Sequence, residues 1–488
     1  MKLLVIGLDC AAPQLLLGDE RLTNIRRLMD LGCYGRLESV NPPITVPAWM
    51  SMATSQDPGS LGVYGFRNRA DHSYRGQAAA TSRSVREVTI WDQVAREGGR
   101  SIVIGVPPSY PPRRLNGINV GCFLTPDPAR NAYAHPASAQ EEIAHIVGDY
   151  PVDVKEYRTH QKDRLKEQVY QMTRKHFAVV RHFLQEHEWD YFHFVEIGLD
   201  RLQHGFWQYQ DPQHVLYQPD NPYRNVLQDY YRYLDEEIGE VLRLLDGDTT
   251  VAVISDHGAQ RLDGGFCVNQ WLIEEGLLAL RRRPQRVTPF GELDIDWGRT
   301  RAWSEGGYYA RVFFNVAGRE PQGVVPQSEY AAFRDELRAR FAALRDDQGN
   351  PLGARAFVPQ EIYRRVENVA PDLVVHFGDL YWRSIGSVGH PRLYLQENDT
   401  GPDGCNHALY GSLILAGPGN PLQGEFTGAR LLDVAPTLLR LAGYDIAPSM
   451  QGADLAAGLA QDPATTPPPL SEEDEGTIRE RLSGLGYI

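Results

Sequence analysis

The stretch KLLVIGLD, residues 2–9, is an almost uninterrupted apolar run that ends in Asp9. A strand that is apolar at successive positions is typical of a parallel sheet buried on both faces. The pattern recurs in VAVISDHG, residues 251–258, where the run is followed by Asp256 and His257. Ligands of open α/β sheets gather beyond the carboxyl ends of the strands. We therefore expect these side chains to lie in one pocket.

Two further runs carry candidate side chains. The run at residues 191–197 leads into Asp200 and His204, which lie four residues apart and share one face if the segment is helical. His407 stands before another strand-like run, residues 412–416. Each motif alone is also typical of a turn, a helix cap or a solvated surface. Their recurrence beside apolar runs, in order along the chain, favours a shared site.

A hydroxyl accompanies these groups, because Thr45 lies in the proline-bracketed segment PPITVPAW, residues 42–49. Carboxylate and imidazole groups bind divalent cations, and two such cations about 4 Å apart can hold a phosphoryl group and activate an oxygen nucleophile. We interpret the set as two metal sites around Thr45. In the alternative interpretation, Thr45 is an ordinary loop residue whose rigid proline neighbours set the backbone angles.

The order of these motifs resembles that of the type I phosphodiesterase and nucleotide pyrophosphatase family, a branch of the alkaline phosphatase superfamily. The resemblance continues through FFNVAGRE, APDLVV and DVAPTLL, at residues 313–320, 370–375 and 433–439. It implies two divalent ions, Zn²⁺ with Mn²⁺ as the alternative. The implied ligands are Asp9, Asp256 and His257 for one ion, Asp200, His204 and His407 for the other, and Thr45 as the nucleophile that bridges both.

The expected activity is hydrolysis of a small-molecule phosphate ester by a two-metal phosphodiesterase. A bound divalent ion lowers the pKa of an oxygen ligand, to about 7 for water in favourable sites. Attack by Thr45 would give a phospho-threonine intermediate that water then hydrolyses. Two alternatives stay open: a phosphomonoesterase or cofactor-independent mutase of the same superfamily, and a binding protein without catalysis. A sulfatase is disfavoured because the segment around Thr45 lacks the Cys/Ser-x-Pro-x-Arg motif.

The sequence departs from the nucleotide-specific pattern in LGVYGFRN, residues 61–68. Phe66 stands where the family has an asparagine that donates to a phosphate oxygen. Arg67 and Asn68 are the candidate replacements, since guanidinium and amide groups bind phosphate oxygens, although both residues are also typical of a solvated loop. With no other basic group expected nearby, we predict that phosphodiesters are cleaved in preference to monoesters.

Strand-like runs and helical patterns alternate along the chain, which predicts an α/β, alkaline phosphatase-like fold with a mostly parallel sheet and helices on both faces. The predicted domains are a catalytic domain at 1–274 and 371–460, an inserted α/β cap at 275–370, and a linker with a C-terminal helix at 461–488. Five aromatic residues are candidates for contact with the leaving group or for the core: Trp303, Tyr308, Tyr309, Tyr381 and Trp382. The strand-like runs are 2–8, 101–105, 190–197, 250–254, 372–377 and 412–416, and the clearest helical patterns are 226–245 and 431–441.

Composition excludes several classes of protein. With 488 residues, of which 42% are hydrophobic, the chain can bury a large core, and its formal charge of −14 disfavours a nucleic-acid partner. The sequence contains no uninterrupted apolar run of about 18 residues, so no membrane span is predicted. Five cysteines without pairing or CxxC spacing favour free thiols in a reducing cytoplasm. Residues 482–488 are expected to pack on the body or on a second subunit, so a homodimer is left open.

Overall fold

The apolar run that opens the chain forms the strand Lys2–Leu8 in the interior of a ten-stranded sheet. In this computed structural model, which describes residues 1–457, the strand pairs in parallel with Tyr191–Glu196 on one side and Thr249–Ile254 on the other. The predicted α/β fold with a mostly parallel sheet is confirmed. The linker and C-terminal helix predicted at 461–488 lie outside the described residues.

The strand Tyr410–Ala416 runs antiparallel to both of its neighbours, Gly32–Glu38 and Thr249–Ile254. Its chain arrives from the short strand Cys405–Ala408, which is itself antiparallel to Gly258–Arg261. Residues 249–261 and residues 405–416 therefore pair with each other along their length, both before and after residues 255–257. In spatial order the sheet contains Gly424–Glu425, Gly32–Glu38, Tyr410–Ala416, Thr249–Ile254, Lys2–Leu8, Tyr191–Glu196, Ser101–Ile104, Gly117–Val120 and Ala134–His135, with Ala429–Arg430 also beside Gly32–Glu38.

Helices cover both faces of the sheet. Leu4, Ile6 and Leu8 point into a core shared with the helices Lys162–Glu186 and Val226–Leu242. On the opposite face Gly7 lies against the helix Thr45–Thr54, where a Cβ at this position would be 2.7 Å from the Trp49 indole, so only glycine fits. The other α-helices are Pro13–Leu16, Thr23–Asp30, Pro58–Leu61, Ile90–Arg96, Ala137–Val147, Gly198–Gln210, Val268–Glu274, Tyr330–Ala342, Pro359–Ile362 and Val434–Ala442. None of the helices within residues 1–457 is long and apolar enough to cross a membrane.

A second hydrophobic core forms between residues 266 and 377. Its four-stranded sheet is antiparallel and includes Leu373–His376, so the run predicted at 372–377 is a strand but belongs to this sheet and not to the central one. The short connection between Ala302–Glu305 and Ala310–Phe314 favours antiparallel pairing. The fourth strand is Arg355–Phe357, and the smaller sheets contain Gly264–Cys267 with Trp382–Ile385 and Tyr394–Leu395, and Arg67–Arg69 with Gln77–Ala79.

Candidate active site

Asp9 and Asp256 end neighbouring strands and lie side by side in the protein interior. Trp49 Nε1 donates a hydrogen bond to Asp9 Oδ2 at 2.8 Å, and the backbone N–H of Cys10 donates to Asp256 Oδ1 at 3.2 Å. Cys10 has a left-handed backbone with φ 66°, which turns the chain immediately after the strand. The second oxygen of each carboxylate, Asp9 Oδ1 and Asp256 Oδ2, is buried without a hydrogen-bond partner.

Asp200 shows the same arrangement on the helix Gly198–Gln210. Arg201 Nη1 donates to Asp200 Oδ2 at 2.6 Å, while Arg201 Nε and Nη2 bind both oxygens of Asp153 at 2.9 and 2.7 Å. Asp200 Oδ1 is buried and accepts no hydrogen bond. Three carboxylates thus each keep one oxygen held and one oxygen free to bind a cation.

The three candidate histidines all present Nε2 to the carboxylates because Nδ1 is held by an oxygen acceptor. A carbonyl or carboxylate oxygen can only accept, so Nδ1 carries a proton and, in the neutral ring, Nε2 keeps its lone pair, the arrangement found in metal-binding histidines. The acceptors are Gly258 O at 3.2 Å for His257, Asp403 Oδ1 at 2.8 Å for His204 and Pro43 O at 3.0 Å for His407.

The six ligand candidates form two triads, in each of which the potential ligand atoms lie within 4.8 Å of one another. His407 was expected to precede a strand and to join the other site residues. It lies within Cys405–Ala408, opposite Ala259 and before the strand Tyr410–Ala416, and the antiparallel pairing brings its ring against His257 with 3.8 Å between ring centres. The first triad comprises Asp9, Asp256 and His257, and the second comprises Asp200, His204 and His407.

Electrostatics favour a cation between these groups. Burial, followed by repulsion from Asp200, raises the pKa of Asp9 well above its usual value, and burial and Asp9 do the same to Asp256. Two ionised carboxylate oxygens within 4.8 Å of one another repel by at least about 3 kcal/mol at an effective dielectric constant of about 20. The hydrogen bonds from Trp49 and Cys10 lower the pKa of these carboxylates, but they do not outweigh burial and this repulsion, since both pKa values remain raised.

The histidines of the two triads differ in their preference for a proton. Burial lowers the pKa of His257 to about 4, and burial together with His257 lowers the pKa of His407 well below its usual value. Burial also opposes charge on His204, but the carboxylates of Asp403 and Asp200 outweigh it and raise its pKa. Two of the three imidazoles are therefore neutral near pH 7, as metal ligands must be.

Thr45 is the first residue of the buried helix Thr45–Thr54, and its Oγ1 lies 3.2 Å from His257 Nε2. It shares the wall of one cavity with Asp200 and His407. The hydroxyl thus contacts the first triad and lines the same cavity as two members of the second, at the positive end of a helix, where backbone N–H groups favour an anion such as phosphate.

The cavity over Thr45 has a volume of about 780 Å³ and is more cationic than the sequence predicted. Four arginines besides Arg67 line it, although Arg67 and Asn68 were expected to be the only basic or amide groups near the phosphate. These residues come from four different segments, and only Arg201 stands beside a candidate ligand in the sequence. They are Arg158, Arg201, Arg311 and Arg383.

Asn68 does not reach the cavity and has a different role from the predicted one. Its amide oxygen accepts from the backbone N–H of Tyr64 at 2.7 Å, and its amide nitrogen donates to Gly65 O at 3.0 Å. Asparagine commonly holds turns in this way, by replacing backbone partners. Arg67 is exposed at the cavity wall, and Phe66 lines the same wall and contacts Phe123.

Of the five aromatic candidates, Tyr308 and Tyr309 line the cavity. Tyr308 stacks on His407 with 4.2 Å between ring centres, and its hydroxyl lies 3.3 Å from His204 Nε2. Trp303 instead packs in the second core, and Tyr381 and Trp382 lie outside this cavity wall.

Several residues that shape the site were not singled out from the sequence, although local signals existed for some of them. Trp49 ends the segment around Thr45, Arg201 follows Asp200, and Asp403 lies four residues before His407. For Arg158 and Arg383 no motif was available.

The sequence matches the model of the family described as type I phosphodiesterase / nucleotide pyrophosphatase over residues 3–403. No curated protein matches it. Among solved structures, human ectonucleotide pyrophosphatase / phosphodiesterase 5 is 13% identical, with a TM-score of 0.51 over 93% of this chain and 97% of that one. An inactive threonine-to-alanine variant of the murine protein, in complex with AMP, gives 13% identity and a TM-score of 0.53, over the same shares of both chains.

Phosphonoacetate hydrolase from Sinorhizobium meliloti 1021, in complex with phosphonoformate, is 17% identical and has a TM-score of 0.58, over 91% of this chain and 96% of that one. At these identities the structural likeness supports the fold alone, whereas the sequence match covers most of the chain and agrees with the resemblance seen in the motifs. The chain belongs to the type I phosphodiesterase/nucleotide pyrophosphatase family and is a phosphoric ester hydrolase.

Proposed function

We propose that the protein is a two-metal phosphodiesterase that acts through a phospho-threonine intermediate on Thr45. The observation that carries the proposal is the pair of triads, in which each carboxylate keeps one oxygen without a donor and His257 Nε2 lies 3.2 Å from the buried Thr45 hydroxyl. The donor set of carboxylate oxygens and imidazole nitrogens suits Zn²⁺, with Mn²⁺ as the alternative.

The two ions would be held by the two triads of the candidate site. Bound there, they would supply positive charge for the phosphoryl oxygens and lower the pKa of an oxygen nucleophile. The protein itself orients the ligands: Arg201 and Trp49 fix one oxygen of Asp200 and of Asp9, and Asp403 fixes the ring of His204.

The reaction follows from the position of Thr45. Its Oγ1 forms a bond to phosphorus, and the bond to the leaving ester oxygen breaks, so that the alcohol departs with its electron pair and takes up a proton. Water then attacks the same phosphorus and releases Thr45 and a phosphate monoester. The N-terminal end of the helix Thr45–Thr54 favours the anion throughout.

Residues 275–370 are proposed to act as a cap over the substrate. Val287, Phe290 and Tyr308, which belong to this segment, line the same cavity as Thr45. Together with Phe66 and Phe123 they provide an apolar wall for the organic part of a phosphate ester.

Metal analysis with a substrate panel tests the proposed function. We expect the purified protein to contain close to two equivalents of a divalent metal by plasma mass spectrometry, to lose turnover on chelation, and to regain it with Zn²⁺ or Mn²⁺. The panel comprises bis(p-nitrophenyl) phosphate, p-nitrophenyl phosphate and phosphonoacetate, since a structural neighbour bears the name of the last substrate. The diester is expected to have the highest kcat/KM. Full activity in metal-free protein would overturn the proposal.

The second candidate function is that of a phosphomonoesterase or mutase, which the arginines of the cavity wall favour, because a dianion gains more from guanidinium groups than a monoanion does. A preference for the monoester over the diester by tenfold or more would support this candidate.

The Trp49→Phe variant is expected to weaken metal binding by about 10-fold to 100-fold, because phenylalanine keeps an aromatic ring against Gly7 but removes the donor to Asp9. Competition with a chromogenic chelator measures the metal Kd. The matched control is Trp189→Phe, which removes a buried indole donor to the backbone of Leu184, away from the triads. Equal metal Kd values for the two variants would show that Trp49 does not position Asp9.

A further inference from the structure

The Arg383 side chain is buried at the cavity wall, yet its charge is not matched by a close partner. The residue is 5% exposed, and neither Nε nor Nη1 makes a hydrogen bond to any of residues 1–457. Its nearest ion-pair contact is loose, with 3.8 Å between Nη1 and Asp403 Oδ2. A buried guanidinium without hydrogen-bond acceptors destabilises the fold, because no interaction within the protein compensates for its lost hydration. A ligand that supplies an acceptor would remove this cost.

Arg158 lies next to Arg383 on the same cavity wall and shares its carboxylate. Arg158 Nε donates to Asp403 Oδ2 at 2.8 Å and Nη2 donates to the Tyr308 hydroxyl at 2.5 Å. Asp403 Oδ1 is already engaged by His204. One carboxylate thus faces two guanidinium groups, which leaves a single positive charge for a ligand.

Two of the other cavity arginines, Arg201 and Arg311, are neutralised within the protein, and the third, Arg67, is exposed to solvent. Arg201 binds Asp153 and Asp200, and Arg311 Nη2 lies 2.6 Å from Glu305 Oε2. The carboxylate of Asp399 also lines the cavity, but this residue is exposed and accepts from Ser387 Oγ. Apart from the exposed Arg67, the unmatched positive charge of the cavity wall is therefore concentrated at the half-buried Arg158 and the buried Arg383.

The pair stands at a short distance from the second triad. Tyr308 separates them: its hydroxyl is 3.3 Å from His204 Nε2 and contacts Arg158 on its other side. A group bound by the arginines would thus sit one side chain away from a phosphoryl group held over Thr45. The cavity of about 780 Å³ has room for both groups and an organic link between them.

We infer that the substrate carries a carboxylate on its organic part and that Arg383, with Arg158, binds this carboxylate in the cavity. The assignment rests on the proposed function, since it places the phosphoryl group over Thr45. Guanidinium groups bind carboxylates through paired hydrogen bonds, and a single negative charge matches the one charge that Asp403 leaves uncompensated.

A series of p-nitrophenyl phosphodiesters with one variable alkyl arm tests the inference. The arms are propyl, 3-carboxypropyl, 3-phosphonooxypropyl and 3-aminopropyl. With the metal-loaded wild-type enzyme we expect kcat/KM for the carboxylate arm to exceed that for the propyl arm at least tenfold, and the amine arm to be the poorest substrate. The ratio of carboxylate to propyl is expected to fall close to one in Arg383→Gln and to be partly kept in Arg383→Lys.

A binding measurement separates recognition from turnover. In a Thr45→Ala background, calorimetric titration should give a Kd for the carboxylate ester about tenfold lower than for the propyl ester, and addition of Arg383→Gln should abolish the difference. The matched control is Arg243→Gln, which changes an exposed arginine at a helix end outside the cavity wall. This variant should keep the difference in Kd. Thermal melting of each variant verifies folding.

The outcomes distinguish the inference from the function on which it rests. No hydrolysis of any of the diesters by metal-loaded enzyme would overturn the proposed function. Hydrolysis with equal kcat/KM for the propyl and carboxylate arms would leave that function intact and overturn the carboxylate site. A tighter Kd for the phosphorylated arm than for the carboxylate arm would assign the arginines to a dianion and so contradict the inference.

Discussion

Replacement of Thr45 by alanine is expected to lower kcat for bis(p-nitrophenyl) phosphate by at least about 10³-fold. The Thr45 hydroxyl lies 3.2 Å from His257 Nε2 at the positive end of its helix, so its loss removes the oxygen that would attack phosphorus. The carboxylates and imidazoles of both triads stay in place, and the metal content should therefore remain near two equivalents. Steady-state kinetics and plasma mass spectrometry on the same preparation measure both quantities.

Thr45→Ser should keep part of the turnover, because serine places a hydroxyl at the same helix position. Thr23→Ala is the matched control, since Thr23 is an exposed threonine at the start of another helix. Acid quench of the wild-type reaction followed by peptide mass spectrometry should find phosphate on Thr45. Unchanged turnover in Thr45→Ala, or a phosphate on a different residue, would contradict the nucleophile assignment.

The central sheet could be predicted from the sequence because its interior strands are apolar on both faces. The run at residues 2–8 is a strand, and the runs before Asp200 and Asp256 are its two parallel neighbours. Since adjacent parallel strands end at one edge of the sheet, this pairing brings Asp9, Asp200 and Asp256 together as the rule for ligand sites in α/β sheets led us to expect.

Strand direction was the part of the fold that pattern did not determine. Apolar periodicity identifies a strand but not its partner, so residues 412–416 and 372–377 were recognised as strands without their antiparallel pairing. The pairing matters for the site, because antiparallel register at Ala259 is what sets His407 against His257.

The arginines of the cavity wall could not be predicted from the sequence for a related reason. Arg158 and Arg383 are 225 positions apart in the numbering and meet through Asp403 and Tyr308. Adjacency in the sequence suggested a phosphate contact for Asn68, but its amide forms hydrogen bonds with the backbone of Tyr64 and Gly65 in a turn. Polar side chains beside a motif can serve the backbone as readily as a substrate.

Asp256→Asn is expected to have opposite effects on activity and on the stability of the metal-free protein. Asparagine keeps an oxygen that accepts from the Cys10 N–H, but it lacks the negative charge of a ligand, so one metal equivalent and at least about 10³-fold of kcat should be lost. The carboxylate of Asp256 has a raised pKa in the folded protein because of burial and Asp9. An acid whose folded pKa is raised destabilises the fold above its unfolded pKa, and this penalty grows until the pH passes the folded pKa.

Removal of that charge should therefore raise the melting temperature of the chelated protein at pH 8 by about 1–3 °C. The increase in melting temperature that Zn²⁺ produces should be smaller in the variant than in the wild type. Asp220→Asn, an exposed aspartate, controls for the change in net charge and should alter neither quantity. Calorimetry with and without metal, beside kinetics, measures the contrast. A structural role for Asp256 alone predicts that activity and metal-free stability fall together, and a metal-free variant that melts below the wild type would contradict the interpretation of this carboxylate as a ligand kept close to Asp9 for a cation.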